Sequence, residues 1–189
     1  MVVGVAGKYC AGKNTVAAIL VEHGYREIDV DKLGHQALER SRDRVAERFG
    51  TEVLTAEGTV NRRALGRIVF AEDEAREDLE AIVHPEMRTM TSELIAESQG
   101  PVVINAAILF SMKLDALCDT VLWVTAPMLH RVLRARSRDA LPFMQIVRRM
   151  WTQRRLAPQH VRQNVDIHTV RNSGSRARLY ARLRSLELV

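Results

Sequence analysis

Apolar residues fall along this chain in two rhythms. Five short stretches are rich in β-branched residues, and most are apolar almost throughout: Val2–Ala6, Glu27–Val30, Val102–Ala106, Thr120–Thr125 and Val165–Val170. Runs with little polar alternation suit strands of a parallel sheet covered on both faces. Between them, apolar positions recur every three or four residues over Asn14–His23, 33–48, 62–70, 73–82, 86–98, 128–138, 143–156 and 175–187. That is the spacing of helices with one buried face. Gly24 is a natural stop for the first helix, and His84-Pro85 reads as a turn between 73–82 and 86–98. Strands alternating with helices predict an α/β fold with a central parallel five-stranded sheet flanked by helices. From 33 to 98 only helices separate the second strand from the third, which predicts an inserted, substrate-binding subregion.

Composition narrows the class. The chain has 189 residues, 47% apolar and 27% charged, the proportions of a globular domain. No apolar run approaches the roughly 20 residues that cross a bilayer, and the first residues lack a secretory pattern. No membrane partner is expected, and the cytoplasm is the expected compartment. Cys10 and Cys118 form no CxxC pair, so reduced thiols are expected. The net charge is +5, and only four of the 28 basic residues are lysines. Arginine's planar fork suits phosphate. Eight arginines lie between 131 and 155. Without a nucleic-acid motif beside them, most read as a solvated helix face, and nucleic acid is not an expected partner.

The most specific local signal is Gly7-Lys8-Tyr9-Cys10-Ala11-Gly12-Lys13-Asn14, set directly after the first strand and opening the first helix. The pattern GxxxxGK[ST] uses glycines so that backbone N–H groups can curl around phosphate oxygens, and the helix N-terminus adds its positive dipole end. Residues 7–14, with Thr15, are therefore expected to hold the phosphates of ATP. Lys13 would reach the β- and γ-phosphates and serve catalysis. Position 14, where a hydroxyl would bind Mg2+, is Asn14, and Thr15 follows one place later. Cys10 shares the helix start with lysines, a setting that activates thiols; it reads more simply as a small loop residue. Asp29 and Asp31 close the second strand, where open α/β sheets place ligands.

Around this loop the chain resembles the dephospho-CoA kinase family of P-loop kinases, over about residues 3–175. The resemblance is carried by Gly24 with Ile28-Asp29-Val30-Asp31 and His35, by Phe49-Gly50 with Val53-Leu54, and by Gly58 with Arg62. Ile82-Val83-His84-Pro85, Arg134 with Arg138-Asp139, Gln153, and Asn172-Ser173-Gly174 complete it. It implies a single P-loop kinase domain over 1–189, with a core at 1–31, 99–127 and 160–189. A helical acceptor-binding region would fill 32–98 and a helical lid about 128–159. The implied activity is transfer of the ATP γ-phosphate, with Mg2+, to the ribose 3′-hydroxyl of dephospho-CoA.

On that resemblance Asp31 is the expected base, and Asp29 and Asn14 are candidates on the metal side. Arg134 and Arg138 are expected to close over ATP, with Arg138 catalytic. Asn172 and Gly174 are expected near the adenine, and Asp31, His35, Arg62 and His84 on the acceptor side. Three positions depart from the family pattern: Asn14 replaces the hydroxyl, Asn105 replaces an aspartate at the end of the third strand, and Ser111 replaces a glutamate. Two other readings stay open on sequence alone. One is a P-loop kinase acting on another small molecule, such as a nucleoside or nucleotide. The other is a homologue that binds ATP or coenzyme A without turnover.

Overall fold

A computed structural model describes residues 1–139 and 165–189, with the side chains of 138 and 139 outside that description. The sheet consists of β1 (Val2–Gly7), β2 (Arg26–Asp29), β3 (Val102–Asn105), β4 (Thr120–Thr125) and β5 (Asp166–Arg171). Its order is β2-β3-β1-β4-β5, and every pairing is parallel. The described α-helices are α1 (Lys13–Glu22), α2 (Val30–Arg40), α3 (Arg42–Phe49), α4 (Arg62–Ala71), α5 (Asp73–Ala96), α6 (Met128–Asp139) and α7 (Arg176–Arg184). The expected helix over 143–156, with Gln153 and the outer part of the expected lid, lies outside the described residues.

The chain divides into two compact units, one of Met1–Asp29 with Glu97–Val189 and one of Val30–Ala96. The first holds the whole sheet. Val3, Val5, Val103, Leu122 and Val124 are fully buried in it, which explains why these strands show no alternation: both faces are covered. On α1, Val16, Ala17, Ile19 and Leu20 form the buried stripe, and Leu179 and Leu183 of α7 join the same core. β1 lies between β3 and β4, so the strand order reverses around it. The crevice beyond its C-terminal end is where such sheets receive ligands.

The second unit is helical, with a core of Val45, Phe49, Val53, Val60, Leu65 and Ala75. Gly50 (φ 87°) and Gly58 (φ 78°) turn the chain where a side chain would strain it. The Glu39 carboxylate accepts the Val60 N–H at 3.0 Å. Phe49-Gly50, Val53-Leu54 and Gly58 thus have structural explanations inside this unit.

Three elements differ from the sequence reading. The second strand ends at Asp29 instead of Val30, and Asp31 lies in the first turn of α2 rather than on a strand. The buried positions Val30, Leu33 and Ala37 show why: the helical stripe starts at Val30, and strand alternation does not reach Asp31. The stretch 33–48 is two helices, because Ser41 leaves helical geometry (φ −94°, ψ 8°). The largest difference is at His84-Pro85, which forms no turn; α5 runs through Pro85 for 24 residues.

A proline inside a helix costs about 3 kcal/mol. Here Pro85 is on an exposed position while Ala75, Val83, Met87, Met90 and Thr91 are buried on either side of it. Burial at about 1.5–3 kcal/mol per large apolar side chain outweighs the lost bond. Pro85→Ala is therefore expected to stabilise the chain by about 1–3 kcal/mol, seen as a higher urea midpoint with an unchanged slope.

Candidate active site

β1 hands over to α1 through a loop whose shape is set by close approach. A Cβ on Gly7 would lie 2.5 Å from the Val124 carbonyl oxygen, and one on Gly12 would lie 2.0 Å from Asn172 Nδ2. Gly12 also takes φ 99° and begins α1 without any side-chain cap. Between them the Ala11 N–H donates to Lys8 O (2.9 Å), and Cys10 adopts φ 57°, a left-handed conformation that few non-glycine residues take.

The loop's carbonyls are held from outside. Tyr9 O accepts from Arg131 Nε at 2.8 Å. Ala11 O accepts from Asn172 Nδ2 at 3.0 Å and from Arg134 Nη1 at 3.1 Å. Arg134 Nη2 also donates to Asn172 O at 3.0 Å, and the Asn172 N–H donates to Thr125 O at 2.7 Å. The end of β5 and the start of α6 therefore brace the loop. Arg134 and Asn172, expected around ATP, are found here on loop carbonyls. Gly174 is exposed beyond β5.

Arg131 was expected on a solvated face and is instead buried, with 8% exposure. Its Nη2 has no hydrogen-bond partner among the described residues. Burial lowers its pKa, offset in part by Cys10, yet a guanidinium stays charged in proteins. No periodicity marked it out from the other arginines of its stretch.

On the other side of the loop, Lys13 Nζ donates to Asn105 Oδ1 at 3.3 Å. Asn105 Nδ2 donates to Glu27 Oε1 at 2.9 Å and to Asn14 Oδ1 at 3.3 Å. The amide orientation is fixed by chemistry, since an ammonium requires an acceptor and a carboxylate requires a donor. Sequence reasoning missed Glu27, because a lone glutamate in a short strand carries no motif.

The donor set fits Mg2+. It is hard oxygen, from the Asn14 amide and from the Asp29 carboxylate, whose residue pairs in register with Asn105. Among the described residues no group of three or more His, Cys, Asp or Glu could hold a metal alone. Mg2+ commonly binds through one or two protein oxygens and the substrate's phosphates instead of an all-protein cage.

Asp31, His35 and Arg62 are exposed in the helical unit, and His84 is half-buried in the middle of α5. Arg138 lies on α6, its side chain outside the described residues. Ser111 is exposed in the turn after β3. Cys118, away from the loop, is half-buried, and desolvation with the Asp115 and Asp119 carboxylates pushes its thiol up to about 12.

A glycine-lined loop between the central strand of a parallel sheet and the following helix, with a lysine at the helix start, defines a P-loop phosphotransferase. A model of the dephospho-CoA kinase family matches residues 1–177. The dephospho-CoA kinase of Bacillus licheniformis is 34% identical, across 98% of this chain and 94% of that protein. That of Treponema pallidum is 31% identical, across 94% and 89%. A Thermus thermophilus protein of known crystal structure superposes with a TM-score of 0.80 at 30% identity, covering 99% of this chain and 96% of that one. Shikimate kinase from Acinetobacter baumannii shares the fold at a TM-score of 0.54 and 14% identity, over 99% and 92%. The chain belongs to the dephospho-CoA kinase family.

Gly12→Ala is expected to displace Asn172 and to lower stability by about 1–3 kcal/mol through the lost buried hydrogen bond, measured by urea unfolding. Cys118 should resist alkylation in the folded chain at pH 8, where about one thiol in ten thousand is thiolate, and should label only after unfolding. Peptide mass spectrometry reads both states.

Proposed function

We propose that this chain is a dephospho-CoA kinase, moving the γ-phosphate of ATP, with Mg2+, onto the ribose 3′-hydroxyl of dephospho-CoA. The observation that carries this reading is the Gly7–Asn14 loop with Lys13 at the start of α1, inside a family match that spans residues 1–177. Membership of the family favours dephospho-CoA over a nucleoside as acceptor. No described helix is long and apolar enough to cross a membrane.

Phosphoryl transfer runs through a loose transition state, so catalysis is largely positioning and charge stabilisation. The loop backbone cradles the phosphates, and Lys13 stabilises charge on the β- and γ-phosphoryl oxygens. Residues Gly7 to Thr15 thus form the nucleotide site, with Arg134 and Asn172 supporting the loop and Gly174 beside the base. Arg138, on α6, stabilises charge on the migrating group. Asn14 and Asp29 would hold Mg2+, which would supply neutralisation of phosphate charge. Asp31 accepts the acceptor's hydroxyl proton, and His35, Arg62 and His84 contact dephospho-CoA from the helical unit.

A second reading, nucleotide binding without turnover, is favoured by one observation: Asn14 and Asn105 place two neutral amides on the metal side. Incubation with ATP, Mg2+ and dephospho-CoA separates the two. Coenzyme A detected by mass supports the kinase; ATP binding by calorimetry without product supports the binding protein. Asp31→Asn is expected to lower kcat by about 10²- to 10⁴-fold while leaving ATP affinity unchanged by calorimetry. Unchanged turnover would remove Asp31 from the mechanism.

A further inference from the structure

The departure at position 105 leaves the end of β3 without the carboxylate of the family pattern, yet Asn105 is 4% exposed and fully engaged. Its Oδ1 takes the Lys13 ammonium and its Nδ2 takes the Glu27 carboxylate. An aspartate in this place could accept from Lys13 but could offer nothing to Glu27, and two carboxylates would then meet at about hydrogen-bond distance. Asp29 pairs in register with Asn105. By strand alternation it shares a face with Glu27, two residues earlier. A carboxylate at 105 would thus be a third negative group at one strand end. Glu27 is exposed, so its carboxylate is open to solvent and to whatever the loop binds.

We propose that Glu27 is a positioning residue of the phosphate site: through Asn105 it supplies the negative charge that the family pattern carries at position 105. In that role it fixes the Asn105 amide, which in turn orients Lys13 and Asn14, and its charge favours a hydrated Mg2+ beside bound phosphates. Charge has moved one strand over, from β3 to β2, with an amide as the link. The inference rests on the loop's being an ATP–Mg2+ site.

The test is a two-by-two set at positions 27 and 105: wild type, Glu27→Gln, Asn105→Asp and the double variant. Binding of a non-hydrolysable ATP analogue is measured by calorimetry with Mg2+ and with EDTA. Glutamine keeps the acceptor for Asn105 and removes only the charge. Glu27→Gln is expected to raise the Mg2+ concentration for half-maximal analogue binding by about tenfold, while tightening metal-free binding by a few-fold, because a repulsion with phosphate is gone. A merely structural role would weaken both. Asn105→Asp alone should destabilise the folded chain, and the double variant should return the Mg2+ dependence to within about threefold of wild type.

Equal losses with and without Mg2+ would overturn the proposal, as would a Glu27→Gln variant indistinguishable from wild type or a double variant that restores nothing. No analogue uptake by the wild type would overturn the phosphate-site reading and this inference together.

Discussion

Everything at the site depends on where the carbonyls of the 7–14 loop are sent. A loop that wraps an anion aims its N–H groups inward, and its carbonyl oxygens must then find donors outside. Here Tyr9 O and Ala11 O are taken by Arg131, Arg134 and Asn172. Two of these donors are charged and come from the start of α6; the third is a buried amide at the end of β5. Arginine suits the task because one guanidinium bonds two oxygens in a fixed plane, as Arg134 does with Ala11 O and Asn172 O. The loop's shape is therefore a property of three elements far apart in sequence. The glycines permit that shape and the donors hold it.

The opposite flank of the loop is built on charge balance. Lys13 brings one positive charge to the mouth of the sheet, and Asn105 relays it to Glu27 without adding charge of its own. A neutral amide between an ammonium and a carboxylate spans both with matching polarity. It also keeps the two carboxylates of β2 from facing a third. Asn105 stands where the family pattern has an aspartate, and its hydrogen bonds to Lys13 and Glu27 make it consistent with its neighbours.

Much of this architecture was legible in the sequence, for reasons that can be named. Val2–Ala6 and Val102–Ala106 read as buried strands because parallel strands are covered on both faces, and the loop was legible because its glycines are required by contacts under 3 Å. What escaped notice was tertiary. Pro85 looked like a break, but the apolar face of α5 is strong enough on both sides to carry a helix through it. Asp31 looked like a strand residue because nothing local distinguishes Val30 as the end of an extended run from Val30 as the start of a buried helical stripe. Arg131 was indistinguishable from its neighbours until α6 was placed against Tyr9. Glu27 became meaningful only when β2 lay beside β3. The expected lid beyond 139 belongs to residues outside the described fold.

One of the loop's donors carries a consequence for biosynthesis. Asn172 reaches Ala11 across 161 residues, and contacts of such long sequence separation form late because the intervening chain must close first. A ribosome releases the 7–14 loop early, but Asn172, which braces it, is made 161 residues after Ala11. Until then the Ala11 carbonyl lacks one of the two donors that hold it in the folded chain. Bracing of the loop is thereby coupled to synthesis of β5, and a product terminated before β5 would lack the Asn172 amide on the Ala11 carbonyl.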